Sequence, residues 1–247
     1  PGEGDATLVI ENVRSGKHIE VPRATRAQLS QDGNKVVAVI KPLFSQTRDA
    51  KIKKAKKDDM PKDTLAIIDV KSGNVEKFAN YKSHNLPDKL NSYIAFELTP
   101  AKEKPAAEKS EGKDAKKPQK KEEVKELYVM NIATGAIDTI KNVASYKFNK
   151  DGDLMAYVVE PAKKDSTGKA AMYLYTTATG ESKEVISGPK GSKIKLPEFS
   201  KVGTMAFYAN TDTSKAAKKD VEIYLYNILS GDLKVAANNR MKGLQEG

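Results

Sequence analysis

The sequence predicts an all-β chain: a partial β-propeller of about four four-stranded antiparallel blades, preceded by an N-terminal half-blade. Two kinds of hairpin carry this expectation, together with the period at which they alternate. The first kind is written five times, in "TLVIENVRSGKHIEV", "TLAIIDVKSGNVEKF", "ELYVMNIATGAIDTI", "MYLYTTATGESKEVI" and "EIYLYNILSGDLKVA". Its turns fall at Ser15-Gly16, Ser72-Gly73, Thr134-Gly135, Thr179-Gly180 and Ser230-Gly231, so the glycines are 57, 62, 45 and 51 residues apart. About six residues rich in Leu, Ile, Val and Tyr precede each turn, and about five alternating residues follow it. Period-two alternation on both sides of a Gly-containing turn is the signature of a β-hairpin.

The second kind lies between copies of the first. "TRAQLSQDGNKVVAVIKP" (25–42) and "ASYKFNKDGDLMAYVVEP" (144–161) match around Asp32-Gly33 and Asp151-Gly152. "KIKLPEFSKVGTMAFYAN" (193–210) follows the same plan around Val202-Gly203. "HNLPDKLNSYIAFELTP" (84–100) matches worst and keeps only its second strand, "SYIAFELTP". One hairpin of each kind makes a four-stranded unit, and four short strands recurring every 45–50 residues mark a propeller blade. A β-sandwich also strings hairpins together, but similarity at a fixed period favours the propeller.

Taken in order, the chain divides into a half-blade at 7–21 and units at about 24–79, 81–140, 143–186 and 192–237, all within one domain spanning 1–247. The two longer glycine spacings reflect insertions at 44–63 and 101–125, each between the second and third strands of its unit. "SQTRDAKIKKAKKDDMPKD" (45–63) is expected to form a short helix, with Thr47 as N-cap and Pro61 as its stop. Residues 101–125 have mixed charges, two prolines and no hydrophobic period, which predicts a disordered loop. The opening "PGEGDATLVI" enters a strand at once without an initiator Met, and "NNRMKGLQEG" closes the chain without a cap. From this the sequence is expected to be a piece of a longer protein.

The "LSQDGNKVVAVIKP" and "FNKDGDLMAYVVEP" strings, followed by "LYVMNIATG"-type strands, resemble the propeller repeat S-x-D-G-x-x-Ф-A-Ф (Ф apolar). That repeat occurs in TolB-like proteins and in the N-terminal domains of prolyl oligopeptidase family serine peptidases. The resemblance covers nearly the whole chain outside the insertions and specifies the repeat class better than the parent protein. It implies a non-catalytic propeller that gates or positions peptide substrates for an α/β-hydrolase domain outside this chain. It also implies a periplasmic or secreted location. The alternative it leaves open is a TolB-like periplasmic scaffold that binds proteins.

The residues themselves carry little chemistry. The chain has no G-x-S-x-G nucleophile turn, and in "GPKGSKI" the residue two beyond Ser192 is not glycine. His18 and His84, the only histidines, read as structural or surface residues. With no cysteine and two distant histidines, no zinc site of the usual kind is expected. "NKDGD" (149–153) lacks calcium-loop spacing, so Asp32 and Asp151 are expected to be turn residues whose carboxylates accept local backbone N–H bonds. "SGPKGSK" (187–193) has no helix behind it and reads as an inter-blade loop rather than a phosphate cradle. Glu122-Glu123 invites comparison with the Glu pair by which dipeptidyl peptidase relatives hold a substrate N-terminus. Here the pair sits in the lysine run "KKPQKKEEVKEL" without the surrounding motif, and reads as a solvated charge run. No catalytic, cofactor-binding or metal residue is therefore assigned, and no cofactor is expected.

Apolar residues make up 38% of the chain and charged residues 31%, with a net charge of +10. Residues 48–63 hold seven Lys/Arg against four Asp, and residues 102–125 hold nine Lys against six acids. More than half of the excess thus lies in the insertions, diluted with acids and lacking the aromatics that stack bases. Nucleic acid is not expected as a partner. No apolar run approaches the roughly 18 residues of a membrane span. The expected partners are peptide substrates, through the hydrolase domain, and further copies of the chain, through the open ends of the arc.

Overall fold

The structure, a computed structural model, describes residues 5–89, 92–100, 125–162, 165, 167–211, 221–238 and 241. The chain begins with a hairpin of β1 (Thr7–Glu11) and β2 (His18–Pro22). Next come β3 (Ala24–Leu29), β4 (Lys35–Ile40), helix α1 (Phe44–Ile52), β5 (Asp63–Asp69) and β6 (Val75–Asn85). The strands β7 (Tyr93–Leu98), β8 (Glu126–Asn131) and β9 (Ile137–Lys141) follow, and then β10 (Val143–Phe148), β11 (Leu154–Val159), β12 (Lys169–Thr176) and β13 (Glu181–Pro189). The last group is β14 (Lys193–Ile194), β15 (Glu198–Phe199), β16 (Thr204–Asn210), β17 (Glu222–Asn227) and β18 (Leu233–Asn238). Every pairing is antiparallel between strands adjacent in sequence, except that β14 reaches past β15 to β16.

The five hairpins of the first kind share one turn. Asn12, Asn131 and Asn227 accept the N–H groups two and three residues on, and Asp69 accepts that of Ser72. Each turn glycine then donates its N–H to the carbonyl four residues back, at 2.8–2.9 Å. All five glycines have φ between 67° and 79°, a region that other residues enter only at a steric cost. Counting from these glycines gives every hairpin the same register.

The sheets stack face to face in chain order, and alternation along the strands supplies both faces. Leu8, Ile10, Ile19 and Val21 of the first hairpin pack with Val36, Ala38, Ile40, Ala66 and Ile68. The opposite face of β4 and β5, with Val37, Leu65 and Ile67, packs with Ile94, Phe96 and Met130. Ala95, Leu127 and Val129 meet Met155, Tyr157 and Tyr175. Val158, Met172 and Leu174 meet Met205, Phe207 and Tyr226. No sheet could bury either face alone; the buried faces are those covered by a neighbouring sheet in the chain. The fold is a partial β-propeller.

Three features differ from the expectation. The second unit does have a first strand, Tyr81–Asn85, running on from the fourth strand of the preceding sheet as one eleven-residue β6. Val75–Phe78 pairs with β5 and Ser83–Asn85 with β7, while Tyr81 stands between Asp63 of β5 and Leu98 of β7. Between the two halves Asn80 takes φ 59°. Arg23 (φ 63°) and Asn142 (φ 60°) stand at the corresponding junctions. The carbonyls of Arg23, Asn80 and Asn142 accept the N–H of Lys41, Thr99 and Glu160, just past the second strand of each new sheet. This shared backbone hinge lets β6 serve two sheets without a visible break in its sequence.

The second difference is in the first insertion. α1 forms, but its N-cap is Leu43, with no side-chain cap. Thr47 lies inside the helix, where its hydroxyl donates to the Leu43 carbonyl at 3.4 Å. The helix ends at Lys53, before Lys54 at φ 51°, so Pro61 is not its stop. The third is Asp151. Asn149 Oδ1 accepts the Gly152 and Leu154 N–H groups, while Asp151 reaches Lys89 Nζ at 2.6 Å. Asp32 behaves as expected: it accepts the Asn34 N–H and the Ser30 hydroxyl, which hold its carboxyl down at about 2. Residues 101–124, including Glu122 and Glu123, lie outside the described residues.

Candidate functional site

The first strands of successive sheets lie next to one another, and their side chains form a continuous polar seam. It starts at Arg26 on β3. The pairing slips between Thr25–Val39 and Gln28–Val37, so that Arg26 and Ala27 stand against Ala38 alone. The bulge holds Arg26 at φ 55° and leaves it exposed. A non-glycine residue in this region is strained, and surrounding structure must hold it there.

The positive charge of Arg26 acts on Tyr81 and His84, both on the first strand of the second sheet. The Tyr81 hydroxyl and His84 Nδ1 share a hydrogen bond of 2.8 Å, with the rings 5.6 Å apart. Burial, and then Arg26, hold the imidazole below its ordinary pKa, so it is neutral at pH 7. Ser83, next along the strand, donates to Glu97 Oε2 at 2.8 Å, and Lys82 Nζ lies 3.0 Å from the same oxygen. The Tyr146 hydroxyl, on β10, is pushed up to about 12, mainly by burial. Asn85 Oδ1 accepts the Phe148 N–H at 3.3 Å, joining the second sheet to the third. Lys147 Nζ continues the seam to the fourth sheet, 2.8 Å from both carboxylate oxygens of Glu198. There Pro197 interrupts the first strand, dividing it into β14 and β15.

This arrangement can bind but is poorly suited to catalysis. Tyr81 and Tyr146 are pushed away from ionisation by burial, and His84 shares one ring nitrogen with a phenol. Ser83 is committed to Glu97 rather than to a base. What the seam offers is neutral hydroxyl and imidazole groups beside an exposed guanidinium, a combination suited to hydrogen-bonding an extended polar ligand and its carboxylates.

The other sequence candidates fall away from this seam. His18 is exposed on β2, with Nε2 3.8 Å from Glu20. Ser192 is buried, and its hydroxyl has no hydrogen-bond partner among the described residues. It sits against Gly188 beside an open depression of about 360 Å³ lined by Thr167–Lys169 and Ser187–Lys190, and both histidines lie in other sheets. Among the described residues no cluster of three or more His, Cys, Asp or Glu could hold a metal ion. No helix among them is long and apolar enough to cross a membrane. Sequence reasoning missed the seam itself. The bulge at Arg26 and the neighbours of His84 are long-range features, and nothing in the local pattern signals them.

No protein-family model and no curated protein sequence matches the chain. Solved structures similar to it include the β-propeller domain of the Trilobed protease from Pyrococcus furiosus, with 15% identity and TM-score 0.47, covering 87% of this chain and 57% of that one. Acylaminoacyl peptidase from Pyrococcus horikoshii has 13% identity and TM-score 0.46, covering 94% and 35%. Oligogalacturonate lyase from Vibrio parahaemolyticus has 15% identity and TM-score 0.44, covering 96% and 61%. The chain spans between about a third and three-fifths of the length of these structures.

Proposed function

We propose that the chain is the non-catalytic propeller portion of a secreted or periplasmic serine peptidase of the prolyl oligopeptidase kind. In this reading its polar seam contacts peptide substrates and positions or admits them for a hydrolase domain lying outside the chain. The observation that carries the reading is the seam from Arg26 to Glu198. It joins the first strands of four sheets, presents hydrogen-bonding groups beside an exposed guanidinium, and lacks a nucleophile–base pair. The S-x-D-G repeat supports the same reading.

The test is binding of fluorescently labelled, unstructured peptides to the 247-residue chain, read by anisotropy. Losing a charge-assisted hydrogen bond should weaken affinity about tenfold, so Arg26→Ala is expected to have that effect. His84→Ala should have a smaller one. Ester and peptide substrates should show no turnover. Peptide affinity unchanged by Arg26→Ala overturns the seam as the contact surface, and ester hydrolysis lost on Ser192→Ala overturns the non-catalytic assignment. A reading frame that continues into G-x-S-x-G, followed by Asp and His, separates the peptidase from a TolB-like scaffold.

A further inference from the structure

The repeat register also places four positions on the face that each sheet turns to the next. In the first full sheet they are Val37, Val39, Leu65 and Ile67, exposed by 4% or less. In the third they are Ala156, Val158, Met172 and Leu174, at most 6% exposed. The pairings Ala206–Leu225 and Tyr208–Ile223 put the same positions of the last sheet on one face. There Tyr208, Ile223 and Leu225 are 48%, 46% and 43% exposed. Lys234 shares this face, opposite Leu225. Lys195 shares it too, since its N–H bonds the Tyr208 carbonyl and its neighbour Ile194 is buried on the other side.

A second free face stands at the other end of the stack. Thr7, Val9, Glu11, His18 and Glu20 of the first hairpin alternate outward, away from the side that packs on the first full sheet. Both faces belong to the same repeat, so the existing interfaces show how they would meet. At three of the four interfaces the side chain three residues after the turn glycine is met by the next sheet's turn glycine and by the residue five before it; at the fourth, Glu76 is exposed and Gly135 has open space around it. Asp138 accepts a hydrogen bond from Tyr175, and a methyl group on Gly180 would lie 3.1 Å from its Oδ2. Lys183 lies over the Tyr226 ring at 5.9 Å and against Gly231. Ile19 clusters with Ile68 and touches Gly73. In the last sheet that side chain is Lys234. In the first hairpin the meeting groups are Gly16, which has open space around it, and Glu11. Neither the Lys234 ammonium nor the Glu11 carboxylate has a hydrogen-bond or ion-pair partner among the described residues.

We propose that the free face of the last sheet takes the β1–β2 hairpin of a second copy of this chain, in the stacking register of the other sheets. Val9 packs on Ile223 and Leu225, Glu11 pairs with Lys234, and Glu20 adds negative charge opposite the two lysines. The contact is head-to-tail. Two copies that each use both ends close into a two-fold ring, and copies that cannot close extend. Packing the last face against its own copy would instead bring Lys195 and Lys234 towards like charges.

Sedimentation velocity and light scattering on the 247-residue chain over a range of concentrations test this. Association above the monomer mass is expected. Leu225→Asp should abolish it, and Lys234→Glu should weaken it by at least about tenfold. Combining Lys234→Glu with Glu11→Lys should restore it. All three substituted residues are exposed, so circular dichroism and melting temperature, read at concentrations below association, should stay close to the parent, which separates lost contact from lost fold. A monomer at every concentration overturns the proposal. So does association indifferent to Glu11→Lys, which would mark a contact between two like ends.

Discussion

Leu174 and Leu225 occupy the same repeat position, six residues before the turn glycine on the third strand. They differ in whether another sheet covers them: Leu174 is 6% exposed among Val185, Ile194, Met205 and Phe207, and Leu225 is 43% exposed. Leu174→Ala loses the transfer free energy of the deleted carbons and leaves a cavity between two sheets that cannot close independently. That costs about 3 kcal/mol. Leu225→Ala loses roughly half the transfer free energy and opens no closed cavity, for about 1 kcal/mol. With an unfolding entropy of ~2.1 cal/mol/K per residue, a chain of 247 residues loses roughly 2 °C of Tm per kcal/mol. The expected shifts are therefore about 6 °C and about 2 °C, measured by circular dichroism melts at a concentration below self-association, with urea midpoints moving in the same order. At concentrations where copies associate, the Leu225→Ala shift should grow towards that of Leu174→Ala. Equal shifts at low concentration would mean that the third and fourth sheets do not stack as described, and would refute the face assignment.

Two further matched pairs and one pH profile follow from the same geometry. Tyr175→Phe should cost about 1 kcal/mol by removing the bond to Asp138. Tyr226→Phe, at the equivalent position, should be neutral or stabilising, because its buried hydroxyl has no partner among the described residues; chemical denaturation distinguishes the two. Gly33→Ala forces an L-residue to φ 72° in open space, for about 1 kcal/mol. Gly152→Ala adds a contact of 2.8 Å with Pro87 Cγ, so its loss in Tm should clearly exceed that of Gly33→Ala. His84 is depressed below its unfolded pKa by burial and by Arg26. The unfolded state therefore binds the proton first, so this contribution to stability is complete above about pH 6.5 and is lost as pH falls through the folded value. His84→Gln should flatten that acid limb of the stability profile, and an unchanged limb would assign it to other groups.

The repeat was legible because its signals are local. Each Ser/Thr-Gly turn needs a backbone conformation that glycine supplies, and the strands beside it alternate over a few residues. The S-x-D-G turn at Asp32 was equally readable, since Ser30, Asp32 and Asn34 close on one another. Where partners came from elsewhere in the chain, reading failed. Asp151 resembles Asp32 in sequence, but Lys89 lies within reach and Asn149 makes the turn bonds in its place. The first strand of the second sheet was hidden because the residues before Ser83 read as the tail of the preceding strand. The bend at Asn80 has no glycine or proline to announce it, and neither do its counterparts at Arg23 and Asn142. Thr47 has the chemistry of an N-cap, but the helix begins three residues earlier, where the strand β4 releases the chain.

The side chain three residues past each turn glycine changes from sheet to sheet, through Ile19, Glu76, Asp138, Lys183 and Lys234, while the backbone around it does not. If stacking needed only apolar area, there would be no reason for the group it meets to change alongside it. Yet Ile19 meets Ile68, Asp138 meets a phenol hydroxyl, and Lys183 meets the face of a phenol ring. The repeated apolar positions supply most of the burial and are nearly interchangeable between interfaces. The variable pair distinguishes one interface from another, because a sheet docked out of order would oppose Asp138 to Ile68 or leave Lys183 without its aromatic face. Exchanging Asp138 and Lys183 therefore tests order rather than strength. The double exchange should lower Tm by more than the loss of one exposed ion pair, and returning either residue alone should recover part of it.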